Sequence, residues 1–131
     1  MKIKQVSVFA ENTQGRLLAV LKALQTANVN LRAISVSENA DFGIIRMIMD
    51  DPDRGAKALK NAGFIERTDT MLTAKIPDVP NGLLNGVVVP LSNSGINIDY
   101  FYAFLEQEPQ TARIVLKTSD DEKAESILAK E

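Results

Sequence analysis

Gly15-Arg16-Leu17, followed by Ala27-Asn28-Val29-Asn30-Leu31, returns later in the chain as Gly82-Leu83-Leu84 and Ser94-Gly95-Ile96-Asn97-Ile98. The shift is a constant 67 residues, and it also carries Arg46 onto Arg113. A single gap-free offset that superimposes a glycine, an apolar helix position, an asparagine and an arginine marks two copies of one supersecondary unit. Each copy alone sits near the lower size limit for a self-sufficient core, because small domains bury a smaller share of their surface. The copies are therefore expected to pack on each other or to dimerise, with the first domain at 1–69 and the second at 70–131.

Upstream of the first glycine, Val6, Val8 and Ala10 alternate with Gln5, Ser7 and Phe9, the pattern of a half-buried strand. Downstream, Leu17, Leu18, Leu21 and Leu24 recur at helical spacing, so a leucine stripe is expected to face a core. Asn28 suits the left-handed residue that ends many helices. Leu31 to Ser37 and Ile44 to Met49 are rich in strand formers and are joined by a polar hairpin link. Asp51 and Pro52 start a short helix, Gly63 stops it, and 64–76 is extended.

Strand, helix, strand, strand, helix, strand is the ferredoxin-like βαββαβ order: an α+β class with two helices on one face of an antiparallel sheet. In the second copy, Met71 to Ile76 is the first strand and 64–76 serves both copies. Gly82 to Ser94 is the helix region, with Ile98 to Leu105 and Thr111 to Lys117 as middle strands. Gly86, the run Val87-Val88-Val89 and Pro90 predict a kinked or broken helix there. Ser119 and Glu122 form a capping-box pattern ahead of a last helix from about Asp120. The second copy lacks its closing strand, which predicts an unpaired sheet edge. Tyr100, Tyr102 and Phe104 share a strand face turned away from the helices, and that face needs cover, from ordinary packing between repeats or as an interface or ligand wall.

Composition narrows the chemistry. Fifteen basic residues against seventeen acidic ones give a net charge of −2, with no basic run suited to a nucleic-acid partner. No cysteine or histidine is present, which removes thiolate nucleophiles, imidazole bases, disulfides and Cys/His metal sites. No cofactor is indicated, no membrane-spanning run occurs, and a cytoplasmic location is the default.

The ordered set Glu11-Asn12-Thr13-Gln14-Gly15-Arg16-Leu17, Asp41-Phe42-Gly43-Ile44-Ile45-Arg46, Asp50-Asp51-Pro52-Asp53, Asp78-Val79-Pro80-Asn81-Gly82-Leu83 and Gly95-Ile96-Asn97-Ile98-Asp99-Tyr100 resembles the ACT domain family, and more closely a tandem ACT-domain protein. Gln14 departs from the proline common at that place. The resemblance implies a regulatory module that binds a free amino acid where the strand-to-helix loop of one domain meets another domain, often across a dimer. A glycine turn ahead of a helix also suits a carboxylate on physical grounds, since amide N–H groups and the helix dipole point there. The candidate ligand residues are Glu11, Asn12, Gln14, Gly15, Arg16, Asn30 and Asp41, with Glu11 or Asp41 facing the ammonium. Second-site candidates are Asp78, Pro80, Gly82, Leu83 and Asn97.

Plainer roles compete at each place. The glycines can serve only turns, the asparagines only caps, and Asp41-Phe42-Gly43 only a hairpin connection. Three functions stay open: an amino-acid sensor acting through dimer geometry, a regulatory subunit of an amino-acid biosynthetic enzyme, and an acylphosphatase-like hydrolase using Arg16 and an asparagine. The hydrolase is disfavoured because Leu83 stands at the position matching Arg16 and no nucleophile-base pair repeats. Catalysis is not expected.

Overall fold

β1 (Lys2–Glu11) buries Val6 and Val8 completely, as its alternation predicts. A computed structural model describes residues 2–11, 14–38, 42–104 and 108–128. Two units emerge, one of Lys4–Thr70 and one of Met71–Glu131 with Met1–Ile3. The remaining elements are α1 (Arg16–Thr26), β2 (Leu31–Glu38), β3 (Phe42–Met49), α2 (Pro52–Asn61) and β4 (Ile65–Pro77). They are followed by a π-helical turn (Leu84–Val88), α3 (Val89–Asn93), β5 (Ile98–Phe104), β6 (Thr111–Thr118) and α4 (Asp121–Leu128).

In the first unit the strand order is β2-β3-β1-β4, with β3 antiparallel to both β1 and β2. The two helices cover the face that carries Val6, Val8, Ile45, Met47 and Met49, and they contribute Val20, Leu24 and Leu59. Each such side chain, fully buried, is worth about 1.5–3 kcal/mol. Asp51 caps α2 by accepting the Arg54 N–H at 3.2 Å, and Asn28 closes α1 at φ +58°. The leucine stripe behaves differently from its expectation. Leu24 is buried at 2% exposure, but Leu17, Leu18 and Leu21 are exposed. The core is met instead by Val20, Ala23, Leu24 and Ala27, a face about a quarter-turn round the helix.

In the second unit β4 pairs antiparallel with β6 through Leu72–Pro77, and β6 with β5. The core there is Leu72, Ala74, Ile76, Val87, Leu91, Ile96, Ile114, Leu116 and Ala124. The predicted break is present as the π turn. The Val89 N–H reaches back five residues to the Leu84 carbonyl, and Pro90 follows at the start of α3, where its missing N–H is tolerated. The expected unpaired edge is not found at β4. Its other neighbour is β1, whose first residues Lys2–Ile3 belong to this unit, and Lys2 Nζ lies 3.6 Å from Glu125 on α4. The edge forms instead at β5.

The capping box is also replaced. Ser119 Oγ accepts the Asn97 N–H at 3.0 Å, while Asp120 caps α4 by accepting the Lys123 N–H at 3.1 Å. Two acidic residues in a row leave the serine free to tie the β5 entry. Next to it, burial alone would raise the Asp121 carboxyl. The Thr118 hydroxyl at 2.7 Å, the Thr118 amide and the Lys117 ammonium outweigh that and hold it below its ordinary value. A depressed carboxyl stabilises above its unfolded titration range and loses that contribution as pH falls through the folded one. Asp121→Asn is therefore expected to cost about 1 kcal/mol at pH 7, after allowance for solvent screening, and much less at pH 2. Urea unfolding at the two pH values checks this; equal losses would contradict it.

Candidate functional site

Gly15 stands at φ +87° between β1 and α1, a backbone state that L side chains resist. A Cβ there would meet nothing within 4 Å, so its conformation, not its space, requires glycine. Among the described residues α1 has no side-chain cap and no acid in its first turn. By contrast, α2 has Asp51 and Asp53, and α4 has Asp120, Asp121 and Glu122. The first amides of α1 thus keep their donors and about half a positive charge for something else.

Beside that helix start lies a cavity of about 200 Å³. Glu11 comes to it from the end of β1, Arg16 from the first turn of α1, and Phe9, Gly63, Phe64 and Ile65 form much of the wall. β4 neighbours β1 in this unit, which brings the segment after α2 back to the end of β1. A carboxylate and a guanidinium at one small cavity can take a ligand that carries a cationic and an anionic group close together. Gln14 and Gly15 are exposed in the same loop, while Asn12 and Asp41 lie outside the described residues. The sequence reading does not include Gly63, Phe64 and Ile65, which line this cavity. The signal was present, because the βαββαβ order itself returns the fourth strand to the first.

Asn30 is not at this cavity. The 11 residues of α1 separate it from Gly15 by about 16 Å of helix. Its backbone is tied to Asp50 in both directions: the Asn30 N–H donates to Asp50 Oδ1 and the Asp50 N–H to the Asn30 carbonyl, each at 3.0 Å. An open hollow of about 430 Å³ lies there, between Leu21 and Gln25 on one side and Leu31 and Asp50 on the other.

The second unit treats its matched residues differently. Gly82 is buried, and a Cβ on it would fall onto the Pro77 carbonyl oxygen, so here close approach requires glycine. Asp78 and Pro80 are exposed, and Leu83 packs at the border of the core. The Asn97 side chain donates to Asp99 Oδ1 at 3.0 Å.

Exposed large apolar side chains recur at the 67-residue offset in two places, Leu17 with Leu84 and Ile34 with Phe101. Ile34 and Val36 stand opposite Met47 and Ile45, on the helix side of the sheet, yet they are 41% and 58% exposed, and Leu17, Leu18 and Leu21 of α1 are exposed as well. In the second unit Phe101 stands opposite Leu116 and is 47% exposed, with Leu84 and Val89 also open. Tyr100, Tyr102 and Phe104 do face away from the helices, and they are half-buried. Among the described residues no group of acidic side chains could hold a metal, and no helix is long and apolar enough to cross a membrane.

A family model described as an ACT domain pair matches residues 1–131. The structure is similar to that of protein BT0572 from Bacteroides thetaiotaomicron, at 38% identity and a TM-score of 0.89 over 99% of this chain and 88% of that one. It is also similar in fold to the ligand-free regulatory subunit of aspartate kinase from Thermus thermophilus. That match has 11% identity and a TM-score of 0.63, over 97% and 90% of the two chains. No curated protein matches by sequence.

Proposed function

Because the chain belongs to the family of ACT domain pairs, we propose that it is a non-catalytic regulatory protein that binds a free amino acid at the start of α1. The cavity that joins Glu11 and Arg16 to the uncapped helix start carries this reading. The ligand carboxylate takes the first amides of α1 and the Arg16 guanidinium, and its ammonium takes Glu11. The side chain runs along Phe9, Phe64 and Ile65. Gln14 is exposed on the same loop, and Asn12 is assigned to the site from its place in the sequence alone.

Asn30 joins such a site only from another domain, since one helix length separates it from the loop of its own unit. A second copy packed over the exposed leucines and Ile34, with the helices antiparallel, brings an asparagine end to a loop end. Self-association through this patch is thus part of the proposal, and it covers side chains that are otherwise left to water. The loop of Asp78, Pro80, Gly82 and Leu83 is the corresponding second site, which Asn97, like Asn30, joins only from another domain. A biosynthetic enzyme as the regulated partner is the alternative cover for the patch, and sedimentation of the chain alone separates the two.

Calorimetry with the free amino acids tests the site. One of them should bind, Arg16→Ala should weaken it at least tenfold, and Gly15→Val should abolish it. Tenfold is about 1.4 kcal/mol, within reach of one charge-assisted hydrogen bond. At about 100 times the dissociation constant the ligand should also raise stability by about 2.7 kcal/mol. Binding unchanged by both substitutions would move the site, and no binding to any amino acid would end the proposal.

A further inference from the structure

Of the residues that line the cavity beside Gly15, two have polar side chains, Glu11 and Arg16; the others are Phe9, Ala10, Gly63, Phe64 and Ile65. The backbone of that wall has little to offer a ligand in their place. The Gly63 and Phe64 N–H groups are spent on the Lys60 and Leu59 carbonyls, each at 3.0 Å, where they close α2. Phe9 and Ala10 stand in the β1–β3 ladder, opposite Ile44 and Gly43. The apolar side chains here are also left to water. Phe9 is 37% exposed, and Ile65, at 71%, is the most exposed large apolar side chain among the described residues.

We propose that this site selects an α-amino acid with an apolar side chain, branched aliphatic or single-ringed, and that Phe9 and Ile65 set the choice. The inference rests on the amino-acid site proposed above and names its ligand class. Glu11 and Arg16 meet the ammonium and carboxylate that every amino acid carries, so they bind without discriminating. Beyond them a charged or amide side chain gives up water for a wall that returns no hydrogen bond, and a polar group desolvated without a partner costs affinity. An apolar side chain has no such loss, and it removes Phe9 and Ile65 from water as it enters. The volume agrees with that class. At about 200 Å³ the cavity exceeds the roughly 150 Å³ that takes benzene in an engineered apolar cavity, which leaves room for the α-carbon groups beside one ring or a branched chain.

Calorimetric titration of the full chain with each free amino acid tests the selectivity. Leucine or phenylalanine should bind about tenfold or more tighter than alanine, asparagine and lysine, since an apolar pocket discriminates by the carbons it covers. Ile65→Ser should weaken that tightest ligand by about fivefold and leave alanine within about twofold, with circular dichroism unchanged because the position is exposed. A tightest ligand with a charged or amide side chain, alanine bound as tightly as leucine and phenylalanine, or an Ile65→Ser variant that loses both ligands alike or neither, overturns the selectivity; weaker binding in Arg16→Ala then still keeps the site. No binding by any amino acid, or binding indifferent to both Arg16→Ala and Gly15→Val, ends the selectivity and the site together.

Discussion

Leu24→Ala is expected to lower the free energy of unfolding by about 3 kcal/mol, and Leu18→Ala on the same helix by less than about 0.5 kcal/mol. Leu24 is 2% exposed, within the cluster that joins α1 to Val6, Val8 and Met47. Its removal loses both the transfer free energy of the deleted carbons and the contacts around the void they leave. Leu18 is 58% exposed and has little to lose on truncation. Urea unfolding of the two variants at low protein concentration decides between them. Equal losses would mean that the leucine stripe faces a core after all. Leu18→Ala should show its effect in self-association instead.

Gly82→Ala is expected to cost about 3 kcal/mol, and Gly15→Ala about 1 kcal/mol, although the two glycines occupy matched places in the repeat. At Gly15 the added methyl has room, and the cost is the backbone state at φ +87°. At Gly82 it meets the Pro77 carbonyl oxygen, a backbone atom that cannot swing aside as a flexible side chain would. The Val79 N–H also bonds to that carbonyl at 2.9 Å, so a shift of Pro77 breaks a second contact. For a chain of this length the larger cost lowers the midpoint of thermal unfolding by about 10 °C. A smaller fall for Gly82→Ala than for Gly15→Ala would contradict the assignment.

Much of this architecture is legible in the residues themselves. The constant offset, the alternation of Val6 to Ala10, the Asp51-Pro52 helix start and the Asn28 helix end all correspond to elements or caps in the fold. Those signals are local, and local backbone chemistry settles them. The helix break over 84–93 was legible for the same reason, through Pro90 and the valine run.

What escaped the sequence depends on neighbours that are far apart in it. Leucines at helical spacing report that a stripe exists, but not that Val20 and Ala23 point to the sheet while Leu17 points to solvent. The use of Ser119 was hidden because its partner, Asn97, belongs to another element. At the candidate site Glu11 and Arg16 were readable from the loop. Phe64 and Ile65 required the pairing of the last strand with the first. Asn30 was grouped with that loop by the family resemblance, and the length of α1 keeps the two apart within a unit.

The place of Lys2–Ile3 in the unit of Met71–Glu131 sets an order for folding. The first unit closes within Lys4–Thr70, so its pairings are complete once about half of the chain has been made. The second also draws on Lys2–Ile3. Its contact from Lys2 to Glu125 spans almost the whole sequence, and such distant closures are slow because the intervening chain must be ordered first. During synthesis the opening residues of β1 emerge before any other part of the unit they belong to. They wait until α4, which carries Glu125, has been made as well.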